Sequence, residues 1–199
     1  MKKIALTIGF LFCVFAVTAQ QDLLKKGNKH LDQKKYKEAE KAYKEGIKQY
    51  PDFPSFKTQL GFTYLQQNKF EEAEKILTAV LEEHPTDMPA NWYAGIMYFY
   101  QEENRKALPR FEKAIRELQP QMGQFASACW FIGQCYENLL YLEGITQKET
   151  DRMMEVYEAF VELRPDAPET QKIKTFLENV AEHRPPETQN KWKAEPDQW

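Results

Sequence analysis

Glycine is scarce here, at 8 of 199 residues, against 27 Lys+Arg and 30 Asp+Glu. So few flexible positions among so many long charged side chains suit helices better than sheets. Cysteine is scarcer still, and three cysteines cannot build a disulfide framework. There is no surplus of positive charge. The net charge of -3 does not support a polyanion-binding surface, so no nucleic-acid partner is expected. The histidines are His30, His84 and His183, and none stands beside a second ligand at metal spacing. No metal and no cofactor are expected. A Gly-rich phosphate loop and a nucleophile elbow are both missing. The acids alternate with lysines, as in Lys37-Glu38 and Glu40-Lys41. That is a solvated helix surface rather than a paired general acid and base, so catalysis is not expected. What is present is 42% hydrophobic and 29% charged, neither a disordered nor a membrane-embedded composition. The length allows one ordinary domain or one short repeat array.

The first residues read as an address. Lys2 and Lys3 precede an apolar run, Ile4 to Val17, broken only by Thr7 and Gly9, and then Val17-Thr18-Ala19. This pattern predicts a signal peptide over residues 1–19, cut after Ala19, and a periplasmic or secreted protein with no membrane span after cleavage. The alternative, a membrane anchor, wants about 20 apolar residues. Cys13 follows Phe12 in mid-run, which does not suit lipidation. Cleavage leaves 25 basic and 30 acidic residues, a net charge of -5, and two cysteines, Cys129 and Cys135. Six residues apart in one helix, they would lie about 9 Å apart along its axis. A disulfide needs Cα atoms within roughly 7 Å, so both are expected as small, buried, unpaired side chains.

The body repeats. Gly27, Gly61 and Gly95 are spaced by 34 and 34, as are Ala39, Ala73 and Ala107. Tyr43, Leu77 and Phe111 keep that register, and so do Gly46, Val80 and Ala114. Pro51, Pro85 and Pro120 follow with one residue of slip at the last. Apolar residues three and four apart give two amphipathic helices per unit. Small residues sit where helices approach closely, large ones fill the gaps, and each proline closes a second helix. Lys34-Lys35, Asn68-Lys69 and Glu103-Asn104 mark the short turns inside each pair.

This combination resembles the tetratricopeptide repeat family, whose 34-residue pattern is W-x2-L-G-x2-Y, then A-x3-F, then P. The second unit reads Lys57-x2-Leu60-Gly61-x2-Tyr64, Ala73-x3-Leu77 and Pro85; the third reads Asn91-x2-Ala94-Gly95-x2-Tyr98, Ala107-x3-Phe111 and Pro120. The resemblance implies an all-α fold, a right-handed superhelix of helical hairpins with a C-terminal capping helix. A fourth unit is degenerate: Cys129-x2-Ile132-Gly133-x2-Tyr136, then Met153-x3-Tyr157 and Pro165. Gly133 to Met153 spans 20 residues where Gly27 to Ala39 spans 12, so eight are inserted and should lengthen both helices and the turn near Gly144. The four helix pairs then occupy 20–166. Residues 167–184 predict a capping helix, with Pro168 and Glu169 in its first turn and an apolar stripe of Ile173, Phe176, Leu177 and Val180. Residues 185–199, with three prolines among polar residues, predict a disordered tail, although Trp192 and Trp199 are unusual in one.

In this family the first helices of the pairs line a concave face that binds a peptide or a partner's helix. By register that groove would carry Asn28, Leu31 and Asp32, then Thr58, Phe62 and Leu65, then Trp92, Ile96, Phe99 and Tyr100, then Trp130, Gln134 and Glu137. Exposed aromatics on it call for a cover. Phe62, Trp92 and Trp130 either face that groove or pack beneath the lengthened fourth unit. One subtype grips a terminal carboxylate with a Lys/Asn/Arg clamp. Only Asn28 matches, with Leu24, Pro89 and Tyr93 at the other positions, so that ligand does not carry over. The expected function is non-catalytic binding of a protein or peptide, as an adaptor or assembly factor in the bacterial cell envelope. The alternative is a self-assembling structural protein whose groove is filled by its own C-terminal tail or by a second copy.

Overall fold

Sixteen residues after each glycine of the 34-residue register stands a large side chain, and the two meet across a helix pair. The structure, a computed structural model, describes residues 18–119 and 123–196. The expected leader lies almost wholly outside these residues, as do Pro120 and Trp199. The chain divides into two compact units, Met1–Pro85 and Thr86–Trp199.

In the first unit α1 (described over 18–32) pairs with α2 (Tyr36–Gln49), and α3 (Pro54–Leu65) pairs with α4 (Phe70–Glu83). A Cβ on Gly27 would stand 2.3 Å from the Tyr43 ring, and one on Gly61 would stand 2.8 Å from Leu77. Gly46 of α2 admits Phe56 of α3 in the same way, at 2.4 Å, and so joins one pair to the next. Tyr43, Phe56 and Leu77 are fully buried. The turn inside each pair needs one left-handed residue. Lys34 and Asn68 both have φ 56°, a conformation a side chain resists. It is held because it closes the preceding helix: Lys35 N–H donates to His30 O at 2.9 Å and Lys69 N–H to Tyr64 O at 3.0 Å, satisfying carbonyls that would otherwise be left open.

The second unit contains α5 (Met88–Tyr100), α6 (Asn104–Arg116), α7 (Gly123–Leu142), α8 (Gln147–Leu163) and α9 (Thr170–His183). Two short strands, β1 (Ile145–Thr146) and β2 (Lys191–Trp192), pair antiparallel. A Cβ on Gly95 would stand 2.7 Å from the Phe111 ring and one on Gly133 2.3 Å from the Tyr157 ring, so the fourth pair keeps the register despite its insertion. The extra residues lengthen α7 to 20 and α8 to 17, against 14 in α2 and 12 in α3. Glu102, with φ 61°, repeats the left-handed turn of the first unit. Asp87 caps α5 by accepting from Ala90 N–H at 2.8 Å. Thr146 and Glu149 cap α8 reciprocally. Helix α9 starts at Thr170, so Pro168 and Glu169 form the turn before it rather than its first turn. Ile173, Phe176 and Val180 are buried, and Leu177 is half-buried.

The segment after α9 departs from expectation. Instead of disorder, residues 185–196 are packed back onto the α7–α8 turn. Trp192 is 6% exposed, and its indole Nε1–H donates to Thr150 Oγ1 at 2.9 Å. Ala194 is fully buried and its N–H reaches Leu140 O at 3.3 Å. Arg184 donates to Gln147 Oε1 at 2.5 Å and to Asp151 Oδ1 at 2.7 Å, while Gln147 Nε2 donates to Gln189 O at 2.9 Å. One indole supplies both the buried area and the polar anchor, and average composition over a short tail hides that. Gly144 makes room: its φ is +80°, and a Cβ there would lie 2.6 Å from Trp192 O.

Candidate partner-binding site

The residues expected to line a groove fall into three groups. Leu31 and Leu65, at 9% and 5% exposure, belong to the core, which corrects their assignment. They stand four residues after Gly27 and Gly61, where a leucine is short enough to be covered and gains by it. Thr58 is likewise buried, at 2%. Asn28 and Gln134 form a second group, each following its glycine by one residue. Asn28 Oδ1 accepts from Tyr43 O–H at 2.7 Å, and the amide of Gln134 donates to Tyr157 O–H. Phe62 and Ile96 hold the same position opposite Leu77 and Phe111, which have no hydroxyl. The chain thus matches polar with polar and apolar with apolar across its helix pairs. Phe62 is half-buried.

The third group is an aromatic cluster in the second unit. Trp92, Ile96 and Phe99 of α5 are half-buried, and Tyr100 is 65% exposed. Trp130 of α7 is also half-buried. Sequence reasoning missed the hub, Phe131. Its ring centroid lies 5.7 Å from Trp92, 5.1 Å from Phe99, 5.1 Å from Phe111 and 5.0 Å from Trp130. The signal was present two residues before each glycine, where Lys25 and Gln59 give way to Tyr93 and Phe131. Trp92 also meets the buried Phe111 edge-on at 5.5 Å, so it faces outward and packs inward at once. Along α5 and α7 the single charged residue is Glu137.

Glu137 opens onto a cleft between α7 and α9. A cavity of about 110 Å³ is lined by Trp130, Gln134, Glu137, Lys172 and Phe176, among others. A larger one of about 470 Å³ runs on past Glu137, Tyr141, Lys172, Phe176 and Asn179 to Pro196. Beyond Trp130, a third of about 230 Å³ lies among Ser127, Phe131, Phe160 and Glu169. The Glu137 carboxylate Oε2 accepts from Tyr157 O–H at 2.5 Å and from Gln134 Nε2 at 2.8 Å. Burial, and then the neighbouring Glu137 charge, holds the Tyr157 phenol well above its usual range. Tyr157 therefore stays a neutral donor.

The remaining reactive groups are quiet. Cys129 and Cys135 are free and buried in α7, and burial pushes their thiols up to about 11 and about 12. Among the described residues no cluster of His, Cys, Asp or Glu could hold a metal, and no helix is long and apolar enough to cross a membrane.

The helix pairs and their glycine register can be set beside known proteins. Residues 30–94 match the family model described as tetratricopeptide repeat. Residues 30–94 thus carry the repeat pattern, and the chain has the tetratricopeptide-repeat fold. Its fold is similar to solved tetratricopeptide-repeat solenoids. It is 18% identical to MamA 41-end from Desulfovibrio magneticus RS-1, with a TM-score of 0.62 over 82% of this chain and 90% of that one. Against another structure of MamA the identity is 21% and the TM-score 0.62, over 79% and 85% of the two chains. Against PilF of Pseudomonas aeruginosa the values are 17% and 0.63, over 79% of this chain and 66% of the other. No curated protein matches the chain by sequence. The repeat fold implies protein partners, and proteins built from it are in general non-catalytic binding modules.

Proposed function

We propose that this protein is a non-catalytic adaptor or assembly factor of the bacterial cell envelope, which holds a protein or peptide against the aromatic face of α5 and α7. One observation carries the reading: Trp92, Phe99, Tyr100, Trp130 and Phe131 remain partly open to water on two helices that share a single charge. Aromatic surface of this kind is costly to leave wet and is typical of binding hot spots. The leader read from residues 1–19 supplies the envelope location, periplasmic or secreted. Within the described residues, Trp192 of the tail occupies its own slot at Thr150.

The test is recovery of partners from envelope extract by mature protein and by a Trp92→Ala, Trp130→Ala variant. Loss of specific partners in the variant supports the reading, and equal recovery removes the aromatic face from it. Light scattering on the same samples separates a second copy from an outside partner. A concentration-dependent dimer that the double variant abolishes would favour self-assembly.

A further inference from the structure

The cleft between α7 and α9 carries chemistry that the uncharged aromatic face lacks. Its two adjoining cavities share Glu137, Lys172 and Phe176. Two donors on one oxygen of Glu137, Tyr157 O–H and Gln134 Nε2–H, fix the plane of the carboxylate. The other oxygen, Oε1, accepts no hydrogen bond from the described residues. Along the cleft Trp130 lies to one side of this carboxylate, and Tyr141 to the other. Lys172, exposed on α9, makes no ion pair with it. A fixed anion among aromatic rings is complementary to a cation: the free oxygen takes the N–H, and the ring faces attract the charge. An apolar segment would leave that oxygen unmatched, and an acidic one would be repelled by it.

We propose that this cleft binds an extended peptide segment through one lysine or arginine side chain seated on Glu137, with a flanking apolar side chain on the half-buried Trp130. This rests on the partner-binding reading above and names the chemistry of the partner. Lys172 acts as a discriminator, because its like charge weakens the same ligand that Glu137 attracts.

The experiment is a selection of random decapeptides displayed on phage, followed by titration of a selected peptide and its norleucine counterpart by calorimetry. Wild type, Glu137→Gln, Lys172→Ala and Trp130→Ala are compared. Gln keeps an acceptor for Tyr157 and Lys172 is exposed, so both variants should melt as wild type does. Selected peptides are expected to share a basic residue between apolar ones, and norleucine at that position should cost about tenfold in affinity. Glu137→Gln should erase that difference, and Lys172→Ala should tighten the basic peptide. Equal binding of the basic and norleucine peptides, or enrichment of acidic peptides, overturns this inference and leaves the partner-binding reading intact. Selection no better than that of Trp130→Ala overturns both. Should Glu137→Gln unfold, the Lys172→Ala arm decides, and unchanged or weaker binding there overturns the inference.

Discussion

A Cβ on Gly133 would lie 2.3 Å from Cε1 of Tyr157, the same distance as from a Cβ on Gly27 to Cε1 of Tyr43 three repeats earlier. In both pairs the tyrosine ring closes on bare backbone, although Gly27 and Tyr43 are sixteen residues apart and Gly133 and Tyr157 are twenty-four. Insertion lengthened the helices without changing which face meets which.

Gly133→Ala should therefore destabilise the second unit by about 1–3 kcal/mol, because a fully buried ring has no free space to move into. Gly95→Leu, which drives a larger side chain at Phe111, should cost at least as much. Urea unfolding measures both. Melting within a degree of wild type would mean that the glycine register does not govern the packing.

Tyr157→Phe removes the hydroxyl between Gln134 and Glu137 and should cost about 0.5–1.5 kcal/mol. Tyr43→Phe, which removes the bond to Asn28, should cost a similar amount. The sites belong to separate repeats, so the two losses should add in the double variant.

The protein should weaken in alkali over a defined window. The groups concerned have raised values in the folded chain: Cys129 to about 11, Cys135 and Tyr136 to about 12, and Tyr157 well above 10. Each favours its neutral form when folded, so its contribution is complete below the unfolded value. It is lost as pH rises from about 9 for the thiols and about 10 for the phenols toward the folded values. Stability measured by urea at pH 7, 9 and 11 should be level over the first interval and fall over the second. At pH 8 a thiol reagent should label Cys129 and Cys135 only as fast as the helix opens.

Trp192→Ala should cost about 3–5 kcal/mol of local stability and release the tail from β1. Limited proteolysis should then cut after residue 184, where wild type resists. Gly144→Ala should do the same by a different route, through strain at φ +80° and collision with Trp192 O. Resistance in both variants would mean that the tail is held elsewhere.

Glu102→Gly should be stabilising. The residue sits at φ 61° in an exposed turn, and glycine adopts that conformation without a Cβ penalty. A gain of up to about 1 kcal/mol is expected, as for Asn68→Gly, reduced by the greater freedom glycine brings to the unfolded chain. A loss at both positions would mean that their side chains hold the turns.

Much of the fold was legible because a 34-residue register ties particular residues together. Given Gly27, Gly61 and Gly95, the side chains sixteen residues on are the ones the backbone must admit, and Tyr43, Leu77 and Phe111 are all buried. The candidate site was harder to read. Leu31 and Leu65 share a register position with Phe99 and Glu137, yet the leucines are covered and the other two are half-buried. Register says where a Cβ points, while side-chain length and neighbours decide whether water reaches it. Phe131 shows the same limit: its neighbours Trp92, Phe99 and Phe111 come from helices that local periodicity cannot relate.

By itself the sequence determined the helix pairs, the glycine contacts between them and the lengthened fourth pair. These depend on short-range periodicity and on volumes that must match across one hairpin. Only the tertiary structure decided that Trp192 finds Thr150, that Gln134 and Tyr157 converge on Glu137, and that α9 stands off from α7 far enough to leave a cleft. Tyr157 reaches Glu137 across 20 positions and Trp192 reaches Thr150 across 42, separations that local periodicity does not span, so these contacts exist only once the chain has closed on itself.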